Sequence, residues 1–399
     1  MKILSSLNKD SFLLISWTIL FMFFTINDST TNLLHRELNS TIIPVLLFLF
    51  VGFFLVGIST FRKIDNSLIN RLLLMILLLS LGLFVSAIYG GMIFFLNDQM
   101  LLVYLFISLV FYFLTSWLLS QNIEMNLNLY FFLVLFLSIL TGGLSFTPLP
   151  YIDLTLGQDI YRNYSQGVTG IFGLFSIYFL NKYFKEKRNL IVLALAAFSL
   201  LISIFGGSRG ELVAVILCLA IVGFNYRLMT TSFLTIPTII ISLILFVDFN
   251  ELQNTLVVVQ RFMVLGENNF GLRDVLFNDS INMILSTSCG ITGCGFNYFQ
   301  IYNNYEFGLY PHNAIFELII TFGLLGVIIS ILSLIGFFRA CTLIKQNNIY
   351  IMIIFYYLIL MKSGSLMSFT AFTVVLVLMH QGLEFIKSNV ILQKNKRPE

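Results

Sequence analysis

His312 stands between Pro311 and Asn313, where a long polar stretch gives way to a long apolar one. Pro311 suits the first position of a helix, because the hydrogen-bond donor it lacks would be orphaned there anyway. That spacing predicts His312 in the first helical turn, among free backbone N–H groups and at the positive end of the helix dipole. Such a setting disfavours a charged imidazole, so a neutral, proton-accepting histidine is expected. It also attracts phosphate. The plainer alternative is a polar residue resting at a membrane interface. Glu317 follows Asn313 by four residues, on the same helix face, and is expected to brace it.

A second helix start is read in Gly207-Ser208-Arg209-Gly210-Glu211. Ser208 and Glu211 have the spacing of a capping box, which puts Arg209 at the positive end of another helix. For Glu211 capping alone is the favoured role. Arg209 is either a phosphate ligand or an interfacial anchor. Arg261 and Arg273 flank residues 262–272, and Arg162 lies in an earlier polar loop. Arginine presents a planar fork of donors that matches phosphate or carboxylate in a bidentate way, which lysine does not. Asp153, Asp159, Asp274 and Asp279 are further candidate acids or bases.

The elements that hold these residues are set by composition. Of 399 residues, 58% are hydrophobic and 10% charged, and the mean hydropathy is +0.94. Soluble domains carry about 25% charged residues. The expected fold is therefore all-α: a polytopic integral membrane protein forming a single transmembrane domain over residues 1–399. About twelve spans are long enough for the bilayer. They are placed at 11–27, 41–61, 72–95, 100–120, 129–146, 166–181, 189–206, 211–226, 232–249, 312–337, 349–361 and 366–386. Lys2 and Lys9 precede the first apolar run and no small-residue cleavage site follows it, so that run is expected to be a retained span.

The distribution of charge orients the chain. With an even number of spans, only Arg36, Arg162, Arg209, Arg261, Arg273 and Lys362 of the 22 basic residues fall on the side away from the termini. The positive-inside rule then predicts cytoplasmic termini. The loop 121–128 contains no basic residue to fix its side. Residues 250–311 form a large outer loop, with short helices expected at 257–265 and 272–285 and a turn-rich stretch at Gly290, Gly293 and Gly295. Cys289 and Cys294 share that loop and are able to pair in an oxidising compartment, but two unpaired small residues are the favoured reading.

Nucleotide-binding, zinc-protease and serine-hydrolase motifs are absent. No paired-carboxylate motif of nucleotide-sugar enzymes occurs, so neither a divalent metal nor another cofactor is implied, and nothing points to nucleic acid. An enzyme on the outer face has no ATP and needs a pre-activated donor.

Three stretches together resemble the O-antigen polymerase and ligase family of bacterial membrane glycosyltransferases. They are Ser208-Arg209-Gly210 at a span start, Arg261 and Arg273 ahead of Gly293-Cys294-Gly295-Phe296, and Pro311-His312-Asn313 followed by Gly323-x-x-Gly326. They cover roughly residues 200 to 330, and the expected topology extends the match. The resemblance implies a GT-C-like fold in the inner membrane. It also implies a periplasmic site and an undecaprenyl-diphosphate-linked oligosaccharide as donor, drawn from the surrounding lipid. In that family the matching positions serve the site. Here they are Arg209, Arg261, Arg273 and His312, with Arg162 the less clear match. A base-assisted displacement would make His312 the base and the arginines the diphosphate ligands. The expected activity is polymerisation of lipid-linked repeat units, with a chain-length regulator as protein partner. The alternatives are an O-antigen ligase transferring the glycan to lipid A–core and, in another class, a lipid-linked glycan flippase.

Overall fold

The computed structural model describes residues 13–19, 66–93, 100–140, 166–186, 188–226, 272–306, 309–363, 365–366 and 369–394. Among them every regular element is a helix. In chain order these are α1 (Asn66–Ile88), α2 (Met100–Ser120), α3 (Asn128–Leu140), α4 (Gln166–Lys185), α5 (Leu190–Phe205) and α6 (Arg209–Asn225). The later ones are α7 (Leu272–Ser286), α8 (Cys289–Thr292), α9 (Tyr298–Asn303), α10 (Ala314–Phe322), α11 (Leu324–Leu343), α12 (Ile349–Ser363) and α13 (Phe369–Lys394). Three helices, α1, α11 and α13 over Ala371–Asn389, are long and apolar enough to cross a membrane. The spans expected at 41–61 and 232–249 and the helix expected at 257–265 lie outside the described residues.

Several boundaries differ from expectation, among them the end of α1 at Ile88 rather than 95 and the end of α13 at Lys394 rather than 386. Helix α1 starts at Asn66 rather than near 72, so Arg71 lies inside the helix and not ahead of it. The span expected at 312–337 is two helices, because Gly323 has φ +60 and breaks the run. An L side chain rarely adopts that backbone conformation. A β-carbon there would also lie 2.2 Å from the Ile291 carbonyl oxygen.

The chain divides into two compact units, residues 1–60 with 124–269 and residues 61–123 with 270–399. In the first, Phe131 of α3 stacks edge-on against Phe175 at 5.2 Å and Phe179 at 5.1 Å, with Phe172 at 6.3 Å. Those three follow the three-and-four spacing of one face of α4. Each such ring pair contributes about 1 kcal/mol beyond the area it buries. Helices α4 and α6 cross at Gly173, where a β-carbon would lie 2.1 Å from Val215 Cγ2. Lys182 donates to Asn128 at 3.3 Å and Lys185 pairs with Glu124, which ties the loop before α3 to the end of α4.

In the second unit α11 and α13 meet through glycine. A β-carbon on Gly336 would fall 1.7 Å from the Leu378 carbonyl oxygen, and one on Gly382 would fall 2.2 Å from that of Leu332. Small residues at a crossing let two backbones approach, which is where helices gain contact in a lipid solvent. Thr373 of α13 donates to the Ser108 carbonyl of α2 at 3.1 Å. Asn347 caps α12 by accepting from Ile349 N–H and donates to the Ile123 carbonyl at 3.1 Å.

Candidate functional site

The segment that leads from α7 to α10 in the second unit has a core of its own. Leu276, Met283, Cys289, Cys294, Phe299 and Ile320 are all buried against one another. Cys289 and Cys294 are joined in a disulfide, which overturns the reading of two unpaired residues. The short helix α8 folds the intervening segment back on itself, and that brings the two sulfurs together. Spacing alone does not reveal such a turn.

The Gly293-Cys294-Gly295 stretch then threads past the end of α10. Cys294 N–H donates to the Ile320 carbonyl at 2.8 Å and Gly295 N–H to that of Thr321 at 3.1 Å. A continuous helix would have offered those carbonyls to residues 324 and 325, but the break at Gly323 releases them. Gly293 has φ +78, and a β-carbon there would lie 2.5 Å from the Thr321 carbonyl oxygen. On its other side the loop meets α1, where the Ser86 hydroxyl donates to the Phe296 carbonyl at 3.2 Å.

At the far end of α10 the helix begins at Ala314, not at Pro311. Asn313 is its cap, and its side-chain oxygen accepts from Ile315 N–H at 2.9 Å and Phe316 N–H at 3.4 Å. His312 therefore precedes the cap rather than sitting in the first turn, and it takes a left-handed φ of +52. Asparagine outranks proline here because its side chain satisfies donors that proline leaves open. It also means that two of the N–H groups expected to face an anion are occupied. The His312 ring packs on Tyr310, centroids 4.1 Å apart.

Asn313 and Glu317 do not brace each other. The Asn313 side-chain nitrogen donates to the Met361 carbonyl at 3.0 Å, at the end of α12. The Glu317 carboxylate accepts from the Ser365 hydroxyl at 3.0 Å and from Leu366 N–H at 2.8 Å. Both residues thus fasten the His312 turn to the segment between α12 and α13. Glu317 is 7% exposed.

Arg273 lies in the first turn of α7. Phe277, one turn on, stacks on Phe316 with centroids 5.0 Å apart, and Leu276 shares the core with Ile320. The two helices run in the same direction, since the end of α7 leads into the segment that wraps the end of α10. The Tyr305 hydroxyl donates to Asp279 of α7, a bond that raises the tyrosine pKa.

The remaining candidates stand elsewhere. Arg209 is the first residue of α6, as expected, and belongs to the first unit. The capping box before it is not formed as expected. The Ser208 hydroxyl donates to the Glu211 carboxylate instead of accepting from a helix N–H, and Ser208 N–H donates to Thr169 Oγ1 at 3.1 Å and not to Glu211. Glu211 is buried in that turn. Arg162 and Arg261 lie outside the described residues. Lys362 follows Met361, whose carbonyl Asn313 holds, and is the one lysine that the charge pattern assigns to the side of the candidate arginines.

Among the described residues no group of three or more His, Cys, Asp or Glu side chains could hold a metal ion. Compared with protein families, curated proteins and solved structures, the chain finds no match.

Proposed function

We propose that the chain is a membrane glycosyltransferase that polymerises undecaprenyl-diphosphate-linked repeat units of a surface polysaccharide on the outer face of the bacterial inner membrane. The observation that supports this reading is that α7, with Arg273 in its first turn, packs through Phe277 on Phe316 of α10, the helix that His312 precedes, in a segment closed by a disulfide. An oxidising compartment is where such a bond persists, and there a lipid diphosphate is the natural activated donor.

In the proposed reaction the acceptor hydroxyl attacks the anomeric carbon and gives its proton to His312. The glycosyl–phosphate bond breaks and its electron pair leaves with the diphosphate. Arg273, with Lys362 nearby in sequence to the held end of α12, stabilises that charge as it develops, which is usually the largest catalytic contribution. The leaving group is already good, so the base matters more than an acid. Inversion at the anomeric carbon follows from a single displacement. Arg209, Arg261 and Arg162 are proposed as further diphosphate ligands.

Deletion of the gene tests the reading. A strain lacking a polymerase carries single repeat units on its lipopolysaccharide core. Bare core with accumulated lipid-linked polymer would make the protein the ligase instead. Lipid-linked single units retained on the cytoplasmic face would make it a flippase.

A further inference from the structure

The three long apolar helices each bring charge to one place. Arg71 lies in the second turn of α1, Arg339 one turn from the end of α11, and Glu384 in the latter part of the Ala371–Asn389 stretch of α13, one turn after His380. Arg71 donates to Glu384 Oε1 at 3.1 Å, His380 Nε2 lies 2.8 Å from the same oxygen, and Arg339 approaches Oε2 at 3.6 Å. Arg339 also donates to the Gln381 carbonyl at 3.1 Å. The glycine crossing at Gly336 and Gly382 holds Arg339 beside Glu384. With a neutral His380, two guanidinium groups share one carboxylate, which leaves one positive charge over. Arg71 Nε is itself buried and has no acceptor among the described residues, so Glu384 does not saturate that guanidinium, and only the exposed part of the side chain is within reach of a ligand.

Ionisable groups inside apolar helices are costly, and they persist where they meet a charged partner or ligand. A purely structural bridge needs one cation for one anion. Here the second cation is surplus, and the cluster opens outward: the side chains of Arg71 and Arg339 are 15% and 25% exposed. On the same turns Leu73, Phe338 and Phe385 are exposed apolar side chains. Arg71 is five residues into its helix and Arg339 four from the end of its own, a depth of roughly 6–8 Å at 1.5 Å per residue. That is the level of phospholipid phosphates and glycerol backbones, not of bulk solution. The end involved is the one to which the charge rule assigns the termini, opposite His312.

We infer that Arg71 and Arg339 form a binding site for the phosphate of an anionic phospholipid, with the acyl chains lying along the exposed apolar faces of α1, α11 and α13. The lipid's phosphate supplies the acceptor that the surplus guanidinium lacks, and Glu384 limits its affinity by competing for the same donors. The inference does not rest on the glycosyltransferase reading.

The test uses the full chain in dodecyl maltoside, titrated with short-chain phosphatidylglycerol or phosphatidylcholine and read by native mass spectrometry. Phosphatidylglycerol binds more tightly than phosphatidylcholine. Arg71→Gln and Arg339→Gln each weaken its binding roughly fivefold, the contribution of one basic residue to an anionic membrane. Glu384→Gln strengthens it. Millimolar inorganic phosphate fails to displace it, since the apolar faces contribute nothing to a free anion. Equal binding of the two lipids, weaker binding in Glu384→Gln, or displacement by phosphate at the lipid's own concentration each overturns the site. Where a variant does not fold, the wild-type comparison of the two lipids decides alone.

Discussion

Glu317 Oε2 accepts a 2.8 Å hydrogen bond from the backbone N–H of Leu366, forty-nine residues further along the chain. The bond joins the helix that follows His312 to the segment between α12 and α13. Glu317→Ala removes the acceptor and leaves the buried Leu366 N–H unpaired, at about 1–3 kcal/mol. Glu317→Gln keeps both bonds, because the Ser365 hydroxyl turns to accept. Melting followed by intrinsic fluorescence in detergent should place the glutamine variant close to wild type and the alanine variant well below both. An alanine variant as stable as wild type would refute the assignment.

Asn313 makes two separable contributions, the cap of α10 and the bond to Met361. Asn313→Asp keeps the cap and loses the donor. Asn313→Ala loses both and costs about 1–2 kcal/mol. Chemical denaturation should rank wild type above Asp and Asp above Ala. An alanine variant as stable as wild type would remove the cap from the account.

Cys289 and Cys294 close a short loop. Alkylation of the unreduced protein modifies neither residue, leaving Cys218 and Cys341 as the reactive thiols after denaturation. Replacing both with serine lowers stability by about 2 kcal/mol, on loop-closure grounds. Alkylation of either residue without reductant would contradict the bond.

Gly336→Ala sets a methyl group where the Leu378 carbonyl already stands. The helices must separate, at about 3 kcal/mol or more, because backbone rather than a mobile side chain blocks the way. Loss of melting temperature on the scale of a core cavity is the expected readout, and an unchanged melt would refute the crossing.

His312→Ala should lower polymer formation by roughly 100-fold or more, as loss of a general base does. Arg273→Ala should do so by a similar factor through the leaving diphosphate. Membrane levels of both variants stay at wild type. Lys362→Met gives a smaller loss. Full polymer length in His312→Ala would exclude it as the base.

Hydropathy made the helical class legible, and the limits of most described helices fell within a few residues of expectation. What escaped were features set by contacts distant in sequence. Pro311 read as a helix start because proline tolerates that position, but Asn313 wins by bonding two amides. Arg71 read as loop because it is charged, yet Glu384 draws it into the helix. Helix periodicity pairs Glu317 with Asn313, but its partners are Ser365 and Leu366, beyond the reach of that periodicity. The arginine set was legible as chemistry, and of its two described members, Arg209 and Arg273, only Arg273 shares a unit with His312.

The last carbonyls of α10 are occupied by Cys294 and Gly295. Neither partner is separable by cutting the chain at the obvious helix and loop limits. A chimaera that exchanges the outer loop for another must carry the end of α10 and Gly323 with it, or it will strand two carbonyls that nothing else is placed to receive. The unit of inheritance in this region is a clasp, and its natural seams lie before Leu272 and after Gly326.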